Sequence, residues 1–279
     1  MRLKFMPDIS INQVLDWQER GLHYGDGLFE TLLKLNGEIP LWQDHYQRLK
    51  KGCERLRIPL VDEDWLLQKV SRETSNQNST IIKIIVTRGC GGRGLRLPAQ
   101  NQTSIFVLKY PYTGITVENL ALEVSMCQTR LPVNRNLAGL KHLNRLDYVL
   151  AAIELENLDK RDEGILCDTE GFLVEGVISN LFFYSNKAMY TPTLEFAGVE
   201  GIMRERVIDY LQRHDIPVQV GRYSPEILLQ AGECFMCNSV YGIRPIKAID
   251  QQNYVTGPIS QMLVNEFNPE ARSGPAPAT

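Results

Sequence analysis

The chain has 279 residues, 43% hydrophobic and 23% charged, with a formal net charge of −3. That make-up is ordinary for a globular protein and leaves room for two modest domains or one large one. The slightly acidic balance speaks against nucleic acid as an electrostatic partner, and no apolar run approaches the ~20 residues of a membrane span.

Residues 1–20 contain Asp8, Asp16 and Glu19 and lack an apolar signal core, so a cytoplasmic chain is expected. In chain order, GLFETLLKLNGEIPLW at 27–42 is apolar around Asn36-Gly37, a dipeptide that favours the primed turn of a hairpin. A helix is expected over 42–58, with Tyr46, Leu49, Cys53 and Leu56 at helical spacing and a stop at Pro59. A second follows from Asp62 to Glu73. STIIKIIVTRG (79–89) and TSIFVLKYPY (103–112) read as strands, which together with the two helices form a small α+β layer. PYTGITVEN lacks periodicity and carries Pro and Gly, as an interdomain connection does. The expected division is therefore 1–112, a linker at 113–119, a larger domain over 120–269 and a loose tail at 270–279.

Beyond the linker, LALEVSMCQTRL is a strand and residues 142–158 a helix. Strands are expected to turn at Thr169-Glu170-Gly171 and at Ser185-Asn186. A helix covers 202–213, and VQVGRYS, a short helix, ECFMCNSVYGIRPI and a last helix over 257–268 complete the order. The six cysteines read as buried thiols: Cys234 and Cys237 form a CxxC with no second pair, and His23, His45, His142 and His214 lie apart, so no metal site is expected.

GCGGRG at 89–94 satisfies GxGxxG, but LRLPAQNQT follows where a dinucleotide site needs a helix, and no acid lies before Tyr112. Its glycines instead serve a tight turn or a close backbone approach, and Arg93 is either an exposed loop residue or an anion contact. Lys141, after Leu137-Ala138-Gly139-Leu140, is either an exposed residue near a helix start or an amine whose charge is disfavoured there, as a Schiff-base lysine requires. Glu175 in FLVEGVISNLFF lies on a wet strand face or is buried against a donor, where it could hold a proton on a pyridine nitrogen. Arg48 of DHYQRL is a surface helix residue or a phosphate ligand. Gly201 in EGIMRERV opens a helix at Ile202-Met203, whose free N–H groups suit phosphate.

GLHYGDGLFET, DHYQRL, TRGCGGRG, LAGLKHLNRL, EGVISNLFF, GIMRE and FMCNSVYGIRP stand in one order over residues 20–250. In that order they resemble the fold-type IV pyridoxal-phosphate enzymes. The resemblance implies an N-terminal α/β sandwich and a C-terminal β-rich pseudo-barrel with flanking helices, an α+β protein, working as a homodimer on a small molecule. By the same resemblance Lys141 would carry pyridoxal 5'-phosphate covalently and Glu175 would face its ring nitrogen. Arg48, the backbone of Ile202 and Met203, and Ser239 would hold its phosphate. Asn180 would be a near neighbour of the cofactor, Thr31 would place a hydroxyl at the reacting atoms, and Arg93 would meet substrate carboxylates.

Within the group, LAGLKHLNRL and TRGCGGRG look most like the 4-amino-4-deoxychorismate lyases, which implies release of 4-aminobenzoate and pyruvate on the folate route. The alternative is an aminotransferase for D-alanine or branched-chain amino acids. Leu146, where the branched-chain branch carries a tyrosine, argues against the latter. Leu95 replaces the aromatic residue that lyases tend to carry after GGRG.

Overall fold

The structure is a computed structural model describing residues 16–99, 102–158 and 161–268; the tail expected at 270–279 lies outside the described residues. Two compact units emerge. One comprises the described residues up to Thr113 together with Lys141–Asn144, and the other Gly114–Leu140 and the described residues from Arg145 onward.

The first unit runs α1 (Arg20–Tyr24), β1 (Gly27–Lys34), α2 (Trp42–Leu56), α3 (Glu63–Glu73), β2 (Thr80–Thr87) and β3 (Ser104–Tyr110). Its strands form an antiparallel sheet in the order β1-β2-β3, with Gly27 opposite Thr87 and Lys34 opposite Thr80. The alternation in TIIKIIVT sets this register: Ile82, Ile84 and Val86 are buried, while Ile81, Lys83 and Ile85 are half-buried on the other face. Leu28 and Leu32 of β1 share the buried class with Leu49 of α2 and Leu66 and Val70 of α3. Asp62 caps α3 by accepting from the Trp65 N–H at 2.8 Å, as an N-terminal aspartate does.

Asn36 and Gly37 both adopt positive φ, 52° and 86°, as a primed turn demands. No return strand follows, however. Only Leu35 and Glu38 bridge, α2 starts at Trp42, and β1 takes its full partner from β2 instead.

The second unit contains a short 3₁₀ turn at Val117–Asn119, β4 (Leu122–Leu131), α4 (Leu146–Glu156), β5 (Glu163–Asp168), β6 (Leu173–Gly176), β7 (Asn180–Ser185) and β8 (Ala188–Pro192). Then come α5 (Ile202–Arg213), β9 (Val218–Gly221), a 3₁₀ turn at Pro225–Gln230, β10 (Glu233–Asn238), β11 (Gly242–Ile249), β12 (Gln252–Asn253) and α6 (Pro258–Phe267). Nine strands make one mixed sheet in the order β6-β5-β4-β11-β10-β7-β8-β9, with β12 beside β11. Pairings β4–β5, β4–β11 and β8–β9 are parallel. Its central strands are largely buried, and Leu122, Val124, Ile165, Leu181, Phe183, Met236 and Ile246 join in one buried cluster. Phe182 stacks on Phe235 with ring centroids 5.0 Å apart.

The helix expected over 142–158 begins only at Leu146. The residues before it are drawn off by β1: the Leu143 N–H donates to the Gly27 carbonyl at 3.1 Å, and Leu28 and His142 form a bridge. Lys141 therefore lies in the non-helical segment before α4 rather than in its first turn, with its carbonyl paired to β1. Along α4, Leu146, Val149, Leu150 and Ile153 form an apolar stripe at helical spacing that stays exposed.

Candidate active site

The first unit assembles its chemistry on the two faces of β1. The Phe29 N–H donates to the Lys141 carbonyl at 2.9 Å, which fixes the lysine backbone against the strand. Its Nζ stands 4.5 Å from the centroid of the Phe29 ring, a cation–π distance. Thr31, two residues along β1, points to the same face as Phe29. Opposite Thr31 lies Lys83, whose Nζ is 4.9 Å from the same ring and whose charged form burial disfavours. Two amines, a ring face and a hydroxyl thus share one surface. The sequence reading missed Lys83, although a lysine amid TIIKIIVT was a visible signal.

On the opposite face, Glu30 is buried and paired. Arg48 donates from Nε to Oε1 at 2.8 Å and from Nη2 to Oε2 at 2.5 Å, and His45 Nδ1 lies 2.6 Å from Oε2. Burial raises the Glu30 carboxyl, but the charge and hydrogen bonds of Arg48, with help from His45, outweigh it and bring the group down to about 2. Burial also lowers the His45 imidazole, with Arg48 and Lys141 acting in the same sense. Neutral His45 then donates from Nδ1, and its Nε2 is buried with no hydrogen-bond partner. Arg48 is therefore neither an open surface arginine nor a bare anion ligand; any phosphate would share its guanidinium with Glu30.

The GCGGRG segment is a loop, with Gly89, Gly91, Gly92 and Gly94 all at positive φ. A Cβ at Gly89 would meet the Gln102 carbonyl oxygen at 1.8 Å. Buried Arg20 organises the turn by donating to the carbonyls of Gly91 at 3.4 Å, Gly94 at 3.1 Å and Arg96 at 3.2 Å. Arg93 is exposed on this loop. Among the described residues no helix follows before β3, as rejection of a dinucleotide site requires.

In the second unit, Glu175 on β6 is buried at 3% exposure and surrounded by donors. Tyr148 Oη donates to its Oε1 at 2.6 Å. Its Oε2 accepts from Asn180 Nδ2 at 2.9 Å and from the Val199 N–H at 3.0 Å. Asn180 also donates to the Val199 carbonyl at 3.0 Å. The segment before Lys141 is tied to the same loop, since the Gly139 N–H donates to Gly198 and the Glu200 N–H returns to Gly139, each at 3.0 Å. Tyr148 is the second residue missed from sequence; Asn180 and Glu175 were both singled out and are in direct contact.

Gly201 precedes α5 without a side-chain cap, so the helix offers the N–H groups of Ile202 and Met203. A Cβ at position 201 would lie 1.8 Å from Asn180 Oδ1, which restricts that position to glycine. Asn180 sits opposite Cys237 in the β7–β10 pairing, and Ser239 follows two residues later in a turn shaped by Asn238. The Asn238 Oδ1 accepts from the Val240 N–H at 3.0 Å and the Tyr241 N–H at 2.8 Å. A buried carboxylate, a helix start with free N–H groups and a serine hydroxyl are group types that could hold a phosphorylated pyridine.

Residues 27–249 match the family model described as amino-transferase class IV. The chain belongs to this family. Within it, the chain is 32% identical over 248 residues to an aminodeoxychorismate lyase from Vibrio harveyi, covering 88% of this chain and 91% of the relative. It is also 31% identical over 257 residues to a putative branched-chain-amino-acid aminotransferase from Methanocaldococcus jannaschii, covering 89% and 88%. Among family structures, 4-amino-4-deoxychorismate lyase from Pseudomonas aeruginosa superposes with a TM-score of 0.86 at 36% identity, covering 91% of this chain and 94% of that one. The expected fold class, an α+β protein with a β-rich pseudo-barrel and flanking helices, agrees with the mixed nine-stranded sheet and with the lyase structure on which the chain superposes.

Proposed function

We propose that the protein is a pyridoxal-phosphate-dependent lyase that converts 4-amino-4-deoxychorismate to 4-aminobenzoate and pyruvate. The observation that carries this reading is Lys141, an amine held by backbone pairing to β1 over the Phe29 ring, in a chain whose family relatives include lyases of that name. When bound, pyridoxal phosphate supplies an aldehyde that condenses with amines and a ring that accepts an electron pair.

The chain's residues then divide the work. Lys141 would anchor the cofactor, and Glu175 would keep a proton on its ring nitrogen. The N–H groups of Ile202 and Met203, with Ser239 and Arg48, would hold the phosphate, while Asn180 fixes Glu175 by donating to it. With the cofactor bound, the free amine of Lys141 would be the base that removes the proton from the substrate ring carbon bearing nitrogen. The carbon–oxygen bond to the enolpyruvyl group breaks, Thr31 or the Lys141 ammonium returns a proton to the departing oxygen, and the substrate ring becomes aromatic. Arg93 on its exposed loop meets a substrate carboxylate.

The Methanocaldococcus relative favours a second reading, a branched-chain aminotransferase. Against it stands Leu146, where the resemblance to the branched-chain branch implies a tyrosine; it is 76% exposed. Purified protein given 4-amino-4-deoxychorismate and no amino acceptor separates the two. A lyase releases pyruvate and 4-aminobenzoate in equal amounts over many turnovers; formation of neither overturns the proposal.

A homodimer is part of the same reading, since a second copy would cover the apolar stripe of α4. The six cysteines are free, as suits a reducing cytoplasm. Among the described residues no helix is long and apolar enough to cross a membrane.

A further inference from the structure

Glu175 is held by more than its assigned neighbour. Its two oxygens accept from Tyr148 of α4 at 2.6 Å, from Asn180 at 2.9 Å and from the Val199 N–H at 3.0 Å. Burial, and after it the Glu175 charge, raises the Tyr148 hydroxyl well above an ordinary phenol, so it remains a donor throughout the working pH range. The Arg145 guanidinium lies 4.7 Å from the Tyr148 ring centroid and braces it from the start of the helix.

We propose that Tyr148 is a positioning residue that holds Glu175 as an anion and thereby keeps the proton on the cofactor's ring nitrogen. The inference rests on the functional reading above, in which Glu175 faces that nitrogen. A carboxylate and a pyridine compete for one proton. Each hydrogen bond donated to the carboxylate stabilises its ionised form and leaves the proton on the ring, where it draws electrons. Remove the Tyr148 donor, and the carboxylate becomes the stronger base. The proton moves toward Glu175, the ring becomes a weaker electron acceptor, and proton removal by Lys141 slows. Substrate binding, which this contact does not touch, is unaffected.

The test is Tyr148→Phe, which keeps the ring and its packing and removes only the hydroxyl. Wild type and variant are loaded with cofactor labelled with ¹⁵N in the ring, and the nitrogen chemical shift and turnover are both recorded. The expected result is a variant that folds and loads cofactor but melts somewhat below wild type, with its ring nitrogen shifted toward the neutral pyridine value. Its kcat should fall about tenfold at unchanged KM, the scale of one lost hydrogen bond to a charged group. A merely structural tyrosine would not move the nitrogen signal. If both proteins load and their nitrogen shifts coincide, the inference is overturned while the functional reading stands. If wild type takes up no cofactor, both fall together.

Discussion

Glu163 offers a test of the second unit that is independent of any cofactor. It lies on β5 at 3% exposure, accepting from the Ile178 N–H at 3.0 Å and from Ser179 Oγ at 2.9 Å. Burial raises its carboxyl from 4.5 to about 7, against the pull of those hydrogen bonds. Between those two values the folded protein retains a proton that the unfolded chain releases. Stability therefore falls as pH rises through this window and levels off above it. A shift of that size corresponds to about 3 kcal/mol. Glu163→Gln cannot ionise, keeps an acceptor for Ile178, and should remove this component. Urea unfolding followed by circular dichroism at pH 5 and pH 8, at one ionic strength, measures it. The gap between variant and wild type should shift in the variant's favour by about 2.5 kcal/mol from pH 5 to pH 8, the rest being lost already below pH 5. Parallel profiles for the two proteins would refute the reasoning.

Arg48→Ala strands the buried Glu30 carboxylate without its main partner and should cost about 3–5 kcal/mol in unfolding free energy, with Glu30→Gln restoring part of the loss in the double variant. The Glu30 contribution is present above pH 4.5 and lost as pH falls toward about 2, so the Arg48→Ala deficit should shrink in acid, as acid denaturation curves will report. Gly201→Ala drives a methyl into Asn180 Oδ1; displacement of Asn180 should weaken cofactor binding about tenfold or more, measured by fluorescence titration. Thr31→Val should retain the cofactor yet release pyruvate more slowly in the acceptor-free assay; an unaltered rate removes the hydroxyl from the mechanism.

Much of the first unit was legible because its signals are local. The alternation in TIIKIIVT is a strand wherever it occurs, Asp62 caps whatever helix follows, and Asn36-Gly37 turns whether or not a return strand exists. Failures occurred where distant chain segments compete. The helix expected from 142 was shortened because β1 takes the backbone of Lys141 and Leu143, a pairing more than a hundred residues apart in sequence. Glu175 could have faced water or the interior; its neighbours Tyr148, Asn180 and Val199 come from three other segments, and only their convergence decides for burial. Arg48 was read as surface or phosphate ligand, and its partner Glu30 became visible once α2 was laid on β1. Arg20 stands just before the GLHYGDGLFET motif, and nothing local marked it as the buried post of the glycine loop.

The account stands on one amine, and Lys83 beside the same Phe29 ring is its natural competitor. Borohydride reduction of the pyridoxal-phosphate-loaded protein, followed by peptide mass mapping, decides between them. The predicted result is a single cofactor tag on the peptide containing Lys141. A tag on Lys83 or any other lysine, or no tag at all, would contradict it.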